Sequence, residues 1–150
     1  MHESAINLSR EEIVTQSKNK TDSSLTEWTN YVPIGNSAKK IHVWNKNGHE
    51  IFYLTSRTTA TEINAIRGVL RKYEFPEAPL LFRKPGEDYK DVAESLFPDL
   101  LVEDDCESIG GIQETIFWHI RPKIQRRIRS ITVKEFEGID HLPDDLTKLL

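Results

Sequence analysis

Two polar stretches directly follow apolar segments of strand length. The hydroxyl-bearing stretch TSR at 55–57 follows the apolar run at 51–54, and the acidic stretch EDDCE at 103–107 follows the apolar run at 100–102. Hydroxyl groups at a strand end can donate hydrogen bonds to an anion. Clustered carboxylates repel one another, and oxygen ligands of this kind suit Mg²⁺. The two stretches therefore predict an anion site and a cation site.

A third candidate is Lys90, at the start of a predicted helix that leads into the apolar run at 100–102. A lysine at a helix N-terminus is unfavourable with respect to the helix dipole. That cost is offset if the ammonium group faces a phosphate or a carboxylate. Each candidate has a plainer alternative: Thr55 and Ser56 cap the next helix, the acidic stretch is a solvated turn, and Lys90 is simply exposed.

Alternating helices and strands must position these residues. A capping-box spacing at Ser9 and Glu12 predicts a short helix at 10–16, and the polar stretch 15–24 is typical of a loop. Near-helical spacing of apolar residues continues at 25–32. Further helical faces are predicted from 38 to a stop at Gly48, at 63–73 and at 92–97, and strands at 51–54, 80–82, 100–102 and 131–133.

Strands that are apolar on both faces belong in a parallel sheet covered by helices, so the fold class is α/β with a mainly parallel sheet. Open sheets of this type bind ligands beyond the carboxyl ends of their strands. The polar stretches that follow the strands are therefore the candidate ligand-binding residues. The length of 150 residues fits one domain, with a polar N-terminal segment at 1–33 and an ordered core at 34–150.

Composition excludes several classes of protein. The net charge of −4 disfavours a general nucleic-acid binder, and the basic stretch at 121–129 is interpreted as a solvated helical face. No apolar run approaches the roughly 18 residues of a membrane span, and the N-terminus has no signal-peptide pattern. The single cysteine, Cys106, cannot form an internal disulfide, and no neighbouring histidine would activate it as a nucleophile. We expect a cytoplasmic protein.

The order of these features resembles the second, third and fourth motifs of haloacid-dehalogenase (HAD) phosphatases. The resemblance covers about residues 25–146 and is carried by YLTSRT at 53–58, GEDYKDVAESLFPDLLVEDDCESIGG at 86–111 and VKEFEGIDHLPDDL at 133–146. It implies a HAD-like Rossmannoid three-layer sandwich with a minimal helical cap. It also implies Mg²⁺-dependent hydrolysis of a phosphomonoester, with a nucleotide, a sugar phosphate or a phosphoprotein as substrate.

The resemblance implies a role for each matching residue. Thr55, with Ser56 beside it, would hydrogen-bond a phosphoryl oxygen, and Lys90 would balance negative charge on the phosphoryl group. Asp104 and Asp105 would help hold Mg²⁺, with Glu103 or Glu107 as alternatives. The metal and the lysine together would stabilise charge in the transition state.

The chain departs from the HAD pattern at the first motif. HAD phosphatases carry Asp-x-Asp at the end of the first strand, where the first aspartate is the nucleophile. No such motif precedes Thr55 here. The resemblance also implies that this strand lies centrally, between those ending at Leu54 and Val102. We therefore expect an N-terminally truncated, inactive hydrolase of marginal stability. The alternative is a non-catalytic module that binds an anion, a nucleotide or a protein partner.

Overall fold

The computed structural model describes residues 1–19 and 27–150, and its elements alternate much as the sequence predicts. Two short segments begin the chain, a 3₁₀ turn and the helix α1. The helices are α1 (Arg10–Asn19), α2 (Ser37–Lys46), α3 (Ala60–Lys72), α4 (Tyr89–Leu96) and α5 (Pro122–Gln125), and the strands are β1 (Tyr53–Thr55), β2 (Leu80–Phe82), β3 (Leu100–Asp104) and β4 (Arg129–Val133).

The four strands form two separate parallel pairs. β1 pairs with β2, with Tyr53 opposite Leu80, and β3 pairs with β4, with Leu100 opposite Arg129. Helical connections join the strands of each pair, as parallel strands require: α3 lies between β1 and β2, and two 3₁₀ turns and α5 lie between β3 and β4. The mixed α/β class and the parallel pairing are thus confirmed. The expected sheet is divided, because no ladder in the described ranges joins β1 to β3.

Local sequence explains where the helices begin and end. Ser9 and Glu12 form the predicted capping contacts at α1, with the Ser9 N–H donating to Glu12 at 2.7 Å. Thr59 caps α3 and exchanges hydrogen bonds with Glu62 in a full capping box. Gly48, at a φ of +91°, lies just beyond the end of α2, where a left-handed residue commonly stops a helix.

The N-terminal segment differs from its prediction. The loop expected from residue 15 begins later, because α1 continues to Asn19 and the Thr15 hydroxyl donates to the Glu11 carbonyl at 2.7 Å. Only a 3₁₀ turn forms at Trp28–Asn30, where helical spacing was expected. Residues 20–24 of the predicted loop and Leu25 lie outside the described residues. α1 buries Ile13 and Val14, so it is part of the packed structure.

Two apolar clusters cover the opposite faces of β3. One cluster contains the buried side chains of Ala93, Leu101, Ile116, Ile120 and Ile128, with Leu54 and Tyr89 packed against it. The other contains Trp44, Val133, Leu142 and Leu146, with Ile51, Leu100 and Val102 packed against it. Alternate residues of β3 thus enter different clusters, as the period of a strand requires. No helix in the described part of the chain is long and apolar enough to cross a membrane.

A cavity of about 580 Å³ separates the two strand pairs. It is lined on one side by residues 51–54, in and before β1, and on the other by residues 98–103, in and before β3. Tyr53 and Leu54 of β1 line the cavity, and every residue of β1 and β2 remains partly accessible.

Candidate functional site

Three carboxylates meet at the carboxyl ends of β3 and β4. Asp104 ends β3 opposite Val133 of β4, and Asp105 follows it directly. Glu135 stands two residues beyond the end of β4. One oxygen atom from each of Asp104, Asp105 and Glu135 lies within 4.8 Å of the others. The parallel register therefore assembles an all-oxygen group from two segments that are distant in sequence.

Backbone and side-chain donors fix this acidic group. Oδ1 of Asp105 accepts from the N–H of Glu135 at 3.0 Å and from the N–H of Glu107 at 3.3 Å. Oδ1 of Asp104 accepts from the N–H of Cys106 at 2.8 Å. The N–H and hydroxyl of Ser108 each donate to Glu135 at 2.7 Å. Among the described residues, the Oδ2 atoms of both aspartates accept no backbone hydrogen bond. Two hard oxygen donors therefore remain for a cation, and the residues present fit Mg²⁺.

The two alternative ligands have other partners. Glu107 pairs with Nη2 of Arg10 at 2.5 Å, and Nε of the same arginine donates to the Glu135 carbonyl at 2.9 Å. Glu103 points elsewhere and accepts from the N–H groups of Ile116 at 2.8 Å and Phe117 at 3.1 Å. Burial raises the pKa of Glu103 above its ordinary value, although these two donors oppose that effect. The geometry therefore favours Asp104 and Asp105 over Glu103 and Glu107 as ligands.

Cys106 lies beside the acidic group in a left-handed conformation, at a φ of +51°. Burial, followed by the negative charge of Asp104, raises the pKa of its thiol to about 12. A thiol with this pKa is protonated at neutral pH, and only the thiolate is an effective nucleophile. The local electrostatics thus agree with the interpretation that Cys106 is not a catalytic nucleophile.

Thr55 and Ser56 lie where the sequence places them, at the end of β1. The Thr55 hydroxyl accepts from the N–H of Arg57 at 3.2 Å, and Ser56 is exposed. Because Thr59 caps α3, the alternative that Thr55 and Ser56 serve as its cap is wrong. Thr55 and Arg57 also line a second cavity, of about 310 Å³, whose wall includes Trp28. The Arg57 guanidinium lies 4.2 Å from the centre of the Trp28 ring.

Lys90 is the second residue of α4, as predicted, and is half-buried. Its Nζ lies 3.8 Å from a carboxylate oxygen of Asp88, the residue before the helix. The same helical turn carries Tyr89. Burial raises the pKa of Tyr89, and the charges of Glu103 and Asp104 add to the effect, so this turn lies close to the end of β3. Within the described ranges, Lys90 forms no ion pair with the acidic group and no hydrogen bond with Thr55.

The sequence alone did not reveal three polar residues near these strand ends. Glu135 and Ser108 join the acidic group only through the pairing of β3 with β4 and the loop that follows β3. Arg83 directly follows β2, and its Nε is buried without a hydrogen-bond partner in the part of the chain described. Its position one residue after an apolar run is the same signal that singled out Thr55 and the acidic stretch 103–107.

Comparison with known proteins adds no relative. The sequence matches no known family model, and no curated protein or solved structure matches it. A functional assignment therefore depends on the site residues themselves and on the motif resemblance.

Proposed function

We propose that this chain is a HAD-like, Mg²⁺-dependent phosphomonoester hydrolase domain that supplies the metal- and phosphate-binding groups but not the nucleophile. The observation that carries the proposal is the convergence of Asp104, Asp105 and Glu135 at the carboxyl ends of two adjacent parallel strands. Carboxyl ends of parallel strands are where open α/β sheets bind ligands. A small phosphorylated molecule, such as a nucleotide or a sugar phosphate, is the proposed ligand.

Each group has a chemical task in this proposal. Mg²⁺ held by Asp104 and Asp105 would neutralise charge on the phosphoryl oxygens and orient them. Thr55 and Ser56 offer hydroxyl donors at the end of β1, and Lys90 offers a positive charge at the start of α4. Glu135 holds Asp105 in place through its backbone N–H. These groups bind and polarise a phosphate ester, but none of them forms the covalent intermediate.

The sequence also limits what the chain can catalyse. It contains no Asp-x-Asp at any position, so it lacks the paired carboxylates that the HAD mechanism uses as nucleophile and general acid. Loss of a nucleophile can lower a rate on the order of a million-fold. We therefore expect Mg²⁺-assisted phosphate binding without measurable turnover of p-nitrophenyl phosphate.

Calorimetric titration of the 150-residue chain with inorganic phosphate, with and without Mg²⁺, tests the proposal. Phosphate should bind more tightly with Mg²⁺ present, and Asp104→Asn should abolish that difference. Lys90→Gln should weaken phosphate binding in both conditions, whereas Lys39→Gln, at an exposed position of α2, serves as the charge-matched control.

The titration also separates the proposal from its alternative. Phosphate affinity that does not respond to Mg²⁺ or to Asp104→Asn would indicate a non-catalytic anion-binding module. Failure to bind phosphate in either condition would refute the proposed hydrolase domain and an anion-binding module alike, and would leave a module that binds a protein partner.

A further inference from the structure

The two strand pairs present unpaired backbone edges to each other. In the β1–β2 ladder the N–H of Tyr53 donates to the Pro79 carbonyl at 2.9 Å, so Tyr53 and Thr55 bond toward β2. The polar backbone groups of Leu54 therefore point the other way, because alternate residues of a parallel strand bond to opposite sides. By the same register, Leu100 and Val102 of β3 point away from β4. Within the described ranges, these three residues have no backbone partner on that side.

These edges border the 580 Å³ cavity, which we call the inter-pair groove. Its lining includes the consecutive residues 51–54 on one side and 98–103 on the other. A cavity above one face of a sheet would contact only alternate residues, because successive side chains point to opposite faces. Contact with consecutive residues indicates that the groove lies in the plane of the strands, at their edges.

The dimensions of the groove suit an extended polypeptide. A strand advances about 3.3 Å per residue, lies about 4.8 Å from its neighbour and occupies a layer about 10 Å thick, which is roughly 160 Å³ per residue. A volume of about 580 Å³ therefore corresponds to three or four residues of one strand. Trp44 and Leu146 line the groove from one cluster, and Tyr89 and Ile116 line it from the other. An occupant would meet apolar side chains on both of its faces.

The outer edge of the β3–β4 pair has a different character. On the outer strand β4, Arg129 and Thr132 are exposed. An exposed charged residue commonly protects an open edge against pairing with another chain. The β3 edge of the groove is instead formed by Leu100 and Val102.

We infer that the inter-pair groove accepts an extended apolar segment of another polypeptide, which pairs with β1 and β3 and unites the two pairs into one five-stranded sheet. The occupant must be a polypeptide because both edges offer unpaired backbone donors and acceptors, at Leu54 on β1 and at Leu100 and Val102 on β3, which another backbone matches. It must be continuously apolar over about four residues, because a strand buried on both faces has no polar side. The inference stands on the two edges and does not depend on the proposed metal site.

The test adds a synthetic peptide to the full chain without Mg²⁺. The probe is acetyl-Lys-Gly-Val-Ile-Val-Val-Gly-Lys-amide. Its matched control has proline at the second and fourth apolar positions, which removes backbone donors but keeps the peptide apolar. Amide hydrogen exchange is measured residue by residue. The probe should slow exchange at Leu54, Leu100 and Val102 by about tenfold or more beyond any slowing that it causes in β2 and β4, and the control should not.

Two variants of the protein test the β3 edge that would receive the peptide. Val102→Pro removes only an N–H that faces the groove and should abolish the effect of the probe, since proline is tolerated where the donor is not used in a ladder. Val102→Ala loses similar packing but keeps that N–H, and it should still bind. Exchange in β4 shows whether the β3–β4 pair of each variant remains folded. A folding defect can therefore be distinguished from loss of the Val102 N–H at the edge of β3.

Three results would overturn the inference. Equal effects of probe and control would show an apolar cavity that does not recognise a strand. Protection along only one of the two inner edges would show that no segment bridges the pairs. Protection of Leu54 and Val102 that grows with protein concentration in the absence of peptide would assign the groove to a second copy of this chain.

Discussion

The N–H of Glu135 donates to Oδ1 of Asp105 at 3.0 Å, although the two residues are 30 positions apart in the sequence. The bond fastens the loop after β3 to the loop after β4. It leaves Oδ2 of Asp105 available next to Asp104. Backbone N–H groups hold Asp104 and Asp105, and Ser108 holds the Glu135 carboxylate, so the three carboxylates do not depend on one another for orientation.

Metal affinity should follow this arrangement. Asp104→Asn and Asp105→Asn should each lower Mg²⁺ affinity by at least about tenfold, because each removes a charged oxygen donor. Glu107→Gln is the discriminating control. Glu107 is held by Arg10, so its loss should leave Mg²⁺ affinity unchanged while weakening an ion pair. Titration of the three variants with Mg²⁺ measures this directly, and a large effect of Glu107→Gln would transfer the ligand role to that residue.

Glu103 should matter for stability and not for metal binding. Its two oxygens accept from the consecutive N–H groups of Ile116 and Phe117. A glutamine there keeps one acceptor and leaves a buried N–H unpaired. The free energy of unfolding should fall by about 1–3 kcal/mol. Urea denaturation of Glu103→Gln measures the change, with Glu114→Gln, an exposed position in the same region, as control.

The capping box of α3 should make part of the stability depend on pH. The Thr59 hydroxyl and N–H bond the Glu62 carboxylate and lower its pKa below the ordinary value. As the pH falls, the unfolded chain therefore takes up a proton on Glu62 before the folded chain does. The stabilisation that the Glu62 carboxylate gives the folded chain is therefore present above the ordinary glutamate pKa. It is lost as the pH falls through the lowered pKa. Melting temperatures of the wild type and Glu62→Gln should differ at pH 7 and converge as the pH falls below the lowered pKa of Glu62. A constant difference would contradict this account.

The whole chain should be only marginally stable. No large side chain in the described ranges is completely buried, and every residue of β1 and β2 remains partly accessible. Apolar burial is the main force that opposes chain entropy. We expect thermal unfolding of the monomer below about 60 °C. A sharp calorimetric transition above that temperature, from a protein shown to be monomeric by ultracentrifugation, would be inconsistent with the open groove between β1 and β3.

Much of the local structure could be predicted from the sequence. The 3.6-residue repeats located α2, α3 and α4, and the apolar run at Leu80–Phe82 coincides with β2. The prediction placed this strand at 51–54, whereas β1 spans Tyr53–Thr55. Ile51 and Phe52 are apolar and line the groove, but they do not pair with β2. Periodicity reports which residues are buried, and it does not distinguish a paired strand from an extended segment beside a cavity.

The site was less accessible to prediction. The acidic stretch 103–107 could be named because it directly follows an apolar run, and the HAD resemblance singled out Asp104 and Asp105 within it. Glu135 could not, because only the register of β3 against β4 brings it to the cluster. The partners of Glu103 and Glu107 could not be predicted either. Arg10 lies 97 positions before Glu107, and nothing in the sequence marks the N–H of Ile116 as the partner of Glu103. The HAD resemblance itself remains a prediction.

Arg10 has a consequence for the order in which the chain folds. It contacts Glu107 and the Glu135 carbonyl, which are 97 and 125 positions away. Neither acceptor is in place until β3 and β4 have paired, so α1 can dock only onto a finished substructure. Closing so long a loop carries a large entropic cost before it gains any contact. Arg10→Ala should therefore speed unfolding and leave the rate of refolding nearly unchanged, which makes the first helix of the chain the last to join.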